Sequence, residues 1–567
     1  MKKIKTIFLL LLMPLLLAAC NEGENGGDGD TVAVEFLDLA ADGSDTVATA
    51  RLTLTFDKDI TGLAAADITF DPGTTGASKG NLSKAGTGVY RLTVPGVSSR
   101  GDVSVTVSKA GYEIANGTKT VAVNFPRSHT VEFVANGGSP EPADQSVVYG
   151  TSVSRPQTPV KAGYLFSGWF TDEGLTERWN FSADKVTSDI VLYACFISQD
   201  QLAQYTAWDY FEAENITVGW NLGNSLDSVT AGTDERNWGN PYINQEIMDG
   251  VKAMGFNLIR IPVTWRGKMG AAPGYVIEEE YLQRVAEVVG YAENAGLTAI
   301  INVHHDSSWL SINTARGSTA GYDTVLDQYT KVWTQIAEYF KDFGLYLIFE
   351  SFNEIHDGGW GHNNWSLEGK RQLEILDDWN QAFTDIVRGT GSMNAVRFLV
   401  ISGYCQRPRN YGPDLLTLPE DTVEGKQIVS FHYYDPEIFA LSGRTPNWGN
   451  ADDLQRPVDD FTPFQTWYTS RRIPVIAGEI GPMKYRGASA NPDMSEETVA
   501  LAHENRIKYI ERVYGVAAGL GIVPVYWDNG TYTSISGDLF GLFDRDTGLP
   551  YDDRARECLE AMVGATR

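Results

Sequence analysis

The chain has 567 residues, a formal net charge of −28, and 43% hydrophobic against 21% charged residues. That length exceeds one ordinary domain, and the apolar share is ample for buried cores. The acidity argues against a nucleic-acid partner, whose phosphates need a basic face. Four cysteines without a CxxC pair or zinc-type spacing argue against a disulfide framework and a zinc module.

The N-terminus reads as a targeting segment over residues 1–20. Lys2, Lys3 and Lys5 precede an apolar run from Ile7 to Leu17, too short for a comfortable membrane span. The run ends in Leu17-Ala18-Ala19-Cys20, which resembles a bacterial lipobox. The resemblance implies cleavage before Cys20 and a lipid on its thiol. That would anchor the protein to a membrane, at the bacterial cell surface or outside the cell. Residues 21–30, rich in Gly, Asn and acidic side chains, read as a flexible tether.

Residues 31–126 show short alternating apolar runs, such as Leu52, Leu54, Phe56 and Val103, Val105, Val107, separated by turn-forming residues. This pattern predicts a β-sandwich. It resembles a bacterial Ig-like module and suits a spacer. Residues 128–198 form a second small β region, with Asn136-Gly137 as a tight-turn signal. Its order of landmarks, through Gly168-Trp169 and Trp179-Asn180-Phe181, resembles the internalin B-repeat of bacterial surface proteins. Trp169 and Trp179 are expected in its core rather than on a sugar-binding face.

From residue 201 to 567 apolar runs alternate with helical stripes. Leu258–Ile261, Thr298–Val303 and Leu345–Phe352 are strand candidates. Leu282, Val285, Val288, Val289 and Ala292 repeat at helical spacing, closed by Gly296. Eight such strands, most followed by a helix, predict an α/β fold, a (β/α)8 TIM barrel preceded by two small all-β modules. A doubly wound open sheet would want a Gly-rich phosphate loop after an early strand, and Gly219–Asn224 is not one.

Barrel enzymes place their chemistry at strand C-termini. Polar residues gather there repeatedly: Asn221 and Asn224, Arg260, His304-His305, Asn353-Glu354, His432-Tyr433-Tyr434, Glu479, and Trp527-Asp528-Asn529. Two carboxylates on one rim, Glu354 and Glu479, suit glycoside hydrolysis, where one is protonated and the other ionised. Arg260 is a cation that would keep a neighbouring carboxylate ionised. His304-His305 lacks a third metal ligand at good spacing, so no metal and no organic cofactor are expected.

Six motifs then stand in the order of glycoside hydrolase family five, its cellulase-like branch in particular. They are Asn257–Pro262, Asn302-Val303-His304-His305, Phe352-Asn353-Glu354, His432-Tyr433-Tyr434, Gly478-Glu479 and Tyr526–Gly530. The resemblance implies Glu354 as acid/base and Glu479 as nucleophile. Asn353 would bind the sugar 2-hydroxyl, Arg260 and Tyr434 would hold Glu479, and His432 would tune Glu354. His304 would line the cleavage subsite, where Trp527 stacks. Asn224, Asp227 and His305 would contact sugar on the non-reducing side, and Trp360 an acceptor sugar. Many relatives carry Pro after the acid/base; here Ile355 follows Glu354, which puts the substrate more in doubt than the catalysis. The expectation is a monomeric retaining hydrolase of β-1,4-glucan. Xyloglucan, mixed-linkage glucan and mannan are alternative substrates, and a non-catalytic glycan-binding surface protein is the alternative of another class.

Overall fold

The structure is a computed structural model describing residues 31–567, apart from 178, 180, 182–183, 229–233, 359–366, 488–492 and 534–536. Cys20 and Trp360 therefore lie outside the described residues. Two compact units divide at Ser128/His129.

The first unit holds a five-stranded and a three-stranded sheet. In the strand Arg51–Phe56, Leu52, Leu54 and Phe56 are buried while their neighbours are not, as alternation dictates. They share one core with Val103, Val105 and Val107 of the smaller sheet. Phe36 and Phe56, register partners on adjacent strands of the larger sheet, stack within it at 4.7 Å.

The second unit begins with a four-stranded sheet built from Ser128–Val134, Gln145–Val148, Tyr164–Phe170 and Ile190–Ser198. Asn136 and Gly137 both take positive φ (49° and 85°), the tight turn their sequence signals. Trp169 and Trp179 are buried with Phe133 and Phe181 in the core of this sheet. Arg155 of this region donates to Glu293 Oε1 at 3.0 Å and to Asn294 Oδ1 at 3.1 Å.

The remainder is a closed parallel barrel whose strands follow chain order. They are β1 (Gly219–Leu222), β2 (Leu258–Ile261), β3 (Thr298–Asn302), β4 (Leu347–Glu350), β5 (Leu399–Ser402), β6 (Gln427–Tyr433), β7 (Val475–Ile480) and β8 (Ile522–Asp528). The principal outer helices are α1 (Gln245–Ala253), α2 (Glu279–Asn294), α3 (Thr319–Phe340), α4 (Leu367–Gly389), α5 (Ala451–Trp467), α6 (Glu496–Gly519) and α7 (Asp553–Ala565). Every residue of β1 to β5 is buried, which is why these strands read as continuous apolar runs rather than alternating ones. The stripe Leu282, Val285, Val288, Val289 and Ala292 is the buried face of α2.

Three features go beyond the reading of the sequence. The chain after β5, where the sequence shows no helical stripe, forms 3-10 turns at Tyr404–Gln406 and Pro408–Asn410. Helix α5 was not expected, because Pro457 and Pro463 lie inside it and proline ordinarily breaks a helix. A short helix, Ala207–Ala213, closes the barrel floor. Its Tyr210 and Phe211 pack with Ile216 against Leu258, Ile300, Ile348, Ile428 and Ile476 from the lower ends of the strands. Burying each such side chain contributes about 1.5–3 kcal/mol. Among the described residues, no helix is long and apolar enough to cross a membrane, and Cys195, Cys405 and Cys558 form no disulfide.

Candidate active site

The polar strand ends converge at the barrel mouth. Arg260, the one charged residue of β2, is fully buried. Its guanidinium donates to Glu479 Oε1 at 2.9 Å, Asn353 Oδ1 at 2.8 Å, Asn221 Oδ1 at 3.1 Å and Glu350 Oε2 at 2.7 Å. Burial works against its charge, but Glu350 and Glu479 outweigh that and hold its pKa above the ordinary value. Tyr434, just past β6, donates to Glu479 Oε2 at 3.0 Å. Both oxygens of Glu479 thus receive a donor from the protein, which favours the ionised form.

Backbone geometry aims Glu479. The β7–β8 register jumps between Ala477 and Ile480, and the β6–β7 register jumps between Phe431 and His432. Such a bulge re-aims a side chain. Gly478 permits it, because a Cβ there would lie 2.5 Å from Ser430 Oγ. The Asn221 amide donates to the Gly478 carbonyl at 2.8 Å and ties the bulge to β1.

Glu354 has different company. Its Oε1 lies 2.7 Å from His432 Nδ1. Burial pushes the Glu354 carboxyl up to about 7, against the pull of Arg260, His356 and Arg407. Burial pushes Glu479 up as well, opposed by His432 when charged and by Arg260. Burial lowers His432 to about 4, so the ring is neutral near pH 7. Its Nε2 is buried with no hydrogen-bond partner. An orphan N–H costs more than an orphan lone pair, which puts the ring proton on Nδ1, donating to Glu354 Oε1. The acid proton of Glu354 is then free to occupy Oε2. One donor atom each of Glu354, His432 and Glu479 lie within 4.8 Å of one another.

His304 completes this wall, its Nε2 4.0 Å from Glu479 Oε1 and its ring parallel to Trp527 at 5.9 Å. Burial holds the His304 pKa well below its ordinary value. On the neighbouring side, His305 Nε2 lies 3.7 Å from Asp227 Oδ2, an oxygen that is buried and accepts no hydrogen bond. Burial lifts Asp227 to about 6 and lowers His305 to about 4. Trp238 packs against His305 at 5.5 Å. Asn224 stands at φ 57° in the same loop after β1.

The structure therefore brings Glu354, Glu479, Arg260, Asn353, His304, His432, Tyr434 and Trp527 together, with Asp227, His305 and Asn224 alongside. Glu350 escaped the reading of the sequence. Its signal was available: it is a charge at the end of the buried apolar strand Leu347-Ile348-Phe349, just as Arg260 is a charge within β2.

Asp227, His304 and His305 also converge closely enough to suggest a cation site, with Asp227 standing where the sequence shows no third ligand at good spacing. The hydrogen bonds disfavour it. The Asn302 Oδ1 accepts from Val263 N–H at 3.1 Å, so its amide nitrogen faces His304 Nδ1 at 3.2 Å. A neutral His304 whose Nδ1 accepts carries its proton on Nε2 and has no lone pair left for a metal. Two free donors remain, too few for a transition-metal centre.

Comparison with known proteins matches residues 219–533 to the cellulase family, glycosyl hydrolase family 5, and residues 129–195 to the Listeria-Bacteroides repeat domain. The chain is 36% identical to an endoglucanase A of Ruminococcus albus over 60% of its own length and 89% of that protein. A solved broad specificity endoglucanase from Bacteroides salanitronis is 37% identical, with a TM-score of 0.57, covering 62% of this chain and 94% of the other. A family 5 xyloglucanase from Paenibacillus pabuli is 31% identical, with a TM-score of 0.55, covering 63% and 100%. The family match takes in more than half of the chain and all eight strands of the barrel, and the chain belongs to glycosyl hydrolase family 5.

Proposed function

We propose that this protein is a retaining β-1,4-glucanase working by double displacement, with Glu479 as nucleophile and Glu354 as acid/base. The observation that carries this reading is the unequal setting of two close carboxylates. Glu479 receives a donor on each oxygen, Arg260 and Tyr434, whereas Glu354 meets the neutral His432 ring; burial raises both carboxyls, Glu354 to about 7. A proximity of 4.8 Å or less between their oxygens suits retention, which needs roughly 5–5.5 Å between carboxyl groups, better than inversion at roughly 6.5–9.5 Å. In the first step a Glu479 oxygen bonds to the anomeric carbon as the glycosidic C–O bond breaks. Glu354 gives its proton to the departing oxygen. Water then attacks the glycosyl ester, Glu354 takes its proton, and Glu479 leaves with the β configuration kept. Asn353 serves the 2-hydroxyl, Trp527 stacks on the ring, and Asp227 Oδ2, an acceptor without a donor, takes a sugar hydroxyl beside His305.

The substrate reading rests on endoglucanase relatives; the xyloglucanase neighbour favours branched β-glucan as the second reading. Hydrolysis of a panel of cellulose, mixed-linkage glucan, xyloglucan and mannan ranks them. Glu479→Ala should abolish sugar release from all; near-normal turnover in the folded variant would sink the assignment. Cys20 carries a lipid anchor at the cell surface, the mature protein is a monomer, residues 31–126 form an Ig-like spacer, and residues 128–198 an internalin-B-repeat-like module ahead of a catalytic domain at 201–567. Cys20→Ser should move the protein from membrane to soluble fractions. Light scattering should give the mass of one chain.

A further inference from the structure

The site contains a third carboxylate. Glu350 ends β4, four residues before Glu354, and is fully buried. Its Oε2 accepts from Arg260 Nε at 2.7 Å and from the Asn302 amide at 2.9 Å. Its Oε1 accepts from Gln406 Nε2 at 3.1 Å and from Ser402 Oγ at 3.5 Å. Both partners on Oε2 lead to the reacting centre. Arg260 turns its other two nitrogens to Glu479 and Asn353. Asn302 turns its second amide hydrogen to His304 Nδ1, which forces the His304 proton onto Nε2, the atom 4.0 Å from Glu479.

We propose that Glu350 is a positioning residue for glycoside cleavage: it fixes the Arg260 fork behind Glu479 and, through Asn302, the Nε2–H form of His304. It also divides the Arg260 charge. A nucleophile paired alone with a buried guanidinium would be held too firmly as an anion to attack. With Glu350 on the opposite side of the guanidinium, Glu479 keeps its ionisation without losing its reactivity. This rests on Glu479 and Glu354 acting as proposed above. The charged and titratable groups facing Glu350 are Arg260 from β2, Glu354 beyond β4, Tyr411 after β5 and His432 from β6. The negative charge of Glu350 contributes to the raised pKa of Glu354.

The test is the pH dependence of kcat/KM on a soluble β-glucan for the full chain and two variants, each checked for folding by its melting transition. Glu350→Gln keeps shape and removes charge. Its kcat should fall about 10- to 100-fold with little change in KM, the size of loss known for partners that orient metal-ligating side chains. Both limbs of its profile should move to lower pH, because Arg260 then serves Glu479 alone and Glu354 loses a repelling neighbour. Glu350→Asp keeps the charge and withdraws it by one methylene, so kcat should fall while both limbs stay at their wild-type positions. A Glu350→Gln profile with unmoved limbs, a Glu350→Asp profile with moved limbs, or wild-type kcat in either would overturn the proposal. Loss of activity in Glu479→Ala and Glu354→Gln is read separately, so failure here is distinguishable from failure of the catalytic assignment.

Discussion

Tyr434→Phe removes one hydroxyl from the site and almost nothing else. The phenol is half-buried, held protonated by burial and by the charges of Glu479 and Glu354, and donates at 3.0 Å to Glu479 Oε2. A hydrogen bond to a charged group is worth about 1.5–3 kcal/mol. That bond favours the carboxylate over the carboxylic acid. Losing it raises the Glu479 pKa, so the acidic limb of the kcat/KM profile moves to higher pH. On the low-pH side of the limb the rate should fall by about 10- to 100-fold, at 1.4 kcal/mol per decade. On the plateau the loss should be smaller, because attack spends the negative charge that the hydroxyl stabilises. The assay is initial rates of sugar release from a soluble β-glucan across pH, with melting curves to confirm folding. An acidic limb that stays in place, with rates within about twofold throughout, would refute the view that Tyr434 holds Glu479 ionised.

Three further outcomes follow from the same geometry. Wild-type kcat/KM should decline as pH rises through about 7, where Glu354 loses the proton it delivers; a profile flat to pH 9 would contradict this. Glu354→Gln should cost about 10²–10⁴ in kcat on glucan and far less in the first step on an aryl glycoside whose leaving group needs no proton, as burst kinetics would show. Gly478→Ala places a Cβ 2.5 Å from Ser430 Oγ and 3.4 Å from His432 Nε2. The resulting displacement of Glu479 should cost about 100-fold in kcat, and the overpacking about 1–3 kcal/mol of stability, measured side by side.

The barrel was legible because buried parallel strands are continuous apolar runs and its helices carry clean stripes, as at Leu282 to Ala292. Where chemistry overrode that code, the sequence misled. Pro457 and Pro463 hid α5, and no periodicity announced the turns over residues 404–410 that place Gln406 against Glu350. Pairing Glu354 with Glu479 was readable from their strand ends. Their different hydrogen-bonding partners were not, since these depend on which oxygen meets Arg260, Tyr434 or His432. Glu350 was legible only as a charge closing an apolar strand; its partners Asn302, Ser402 and Gln406 come from other elements and could not be read.

The Arg155 contact lies at the C-terminal end of α2, just before β3 begins, on the side of the barrel away from Glu354 and Glu479. The helix Ala207–Ala213 seals that same side. The chain thus enters its catalytic body from behind. Additions or deletions upstream of Arg155 would meet the barrel on that closed side, without reshaping the mouth. Attachment and chemistry sit on opposite faces of this architecture, so a shortened version bearing only the barrel and its floor helix should keep its choice of glycan.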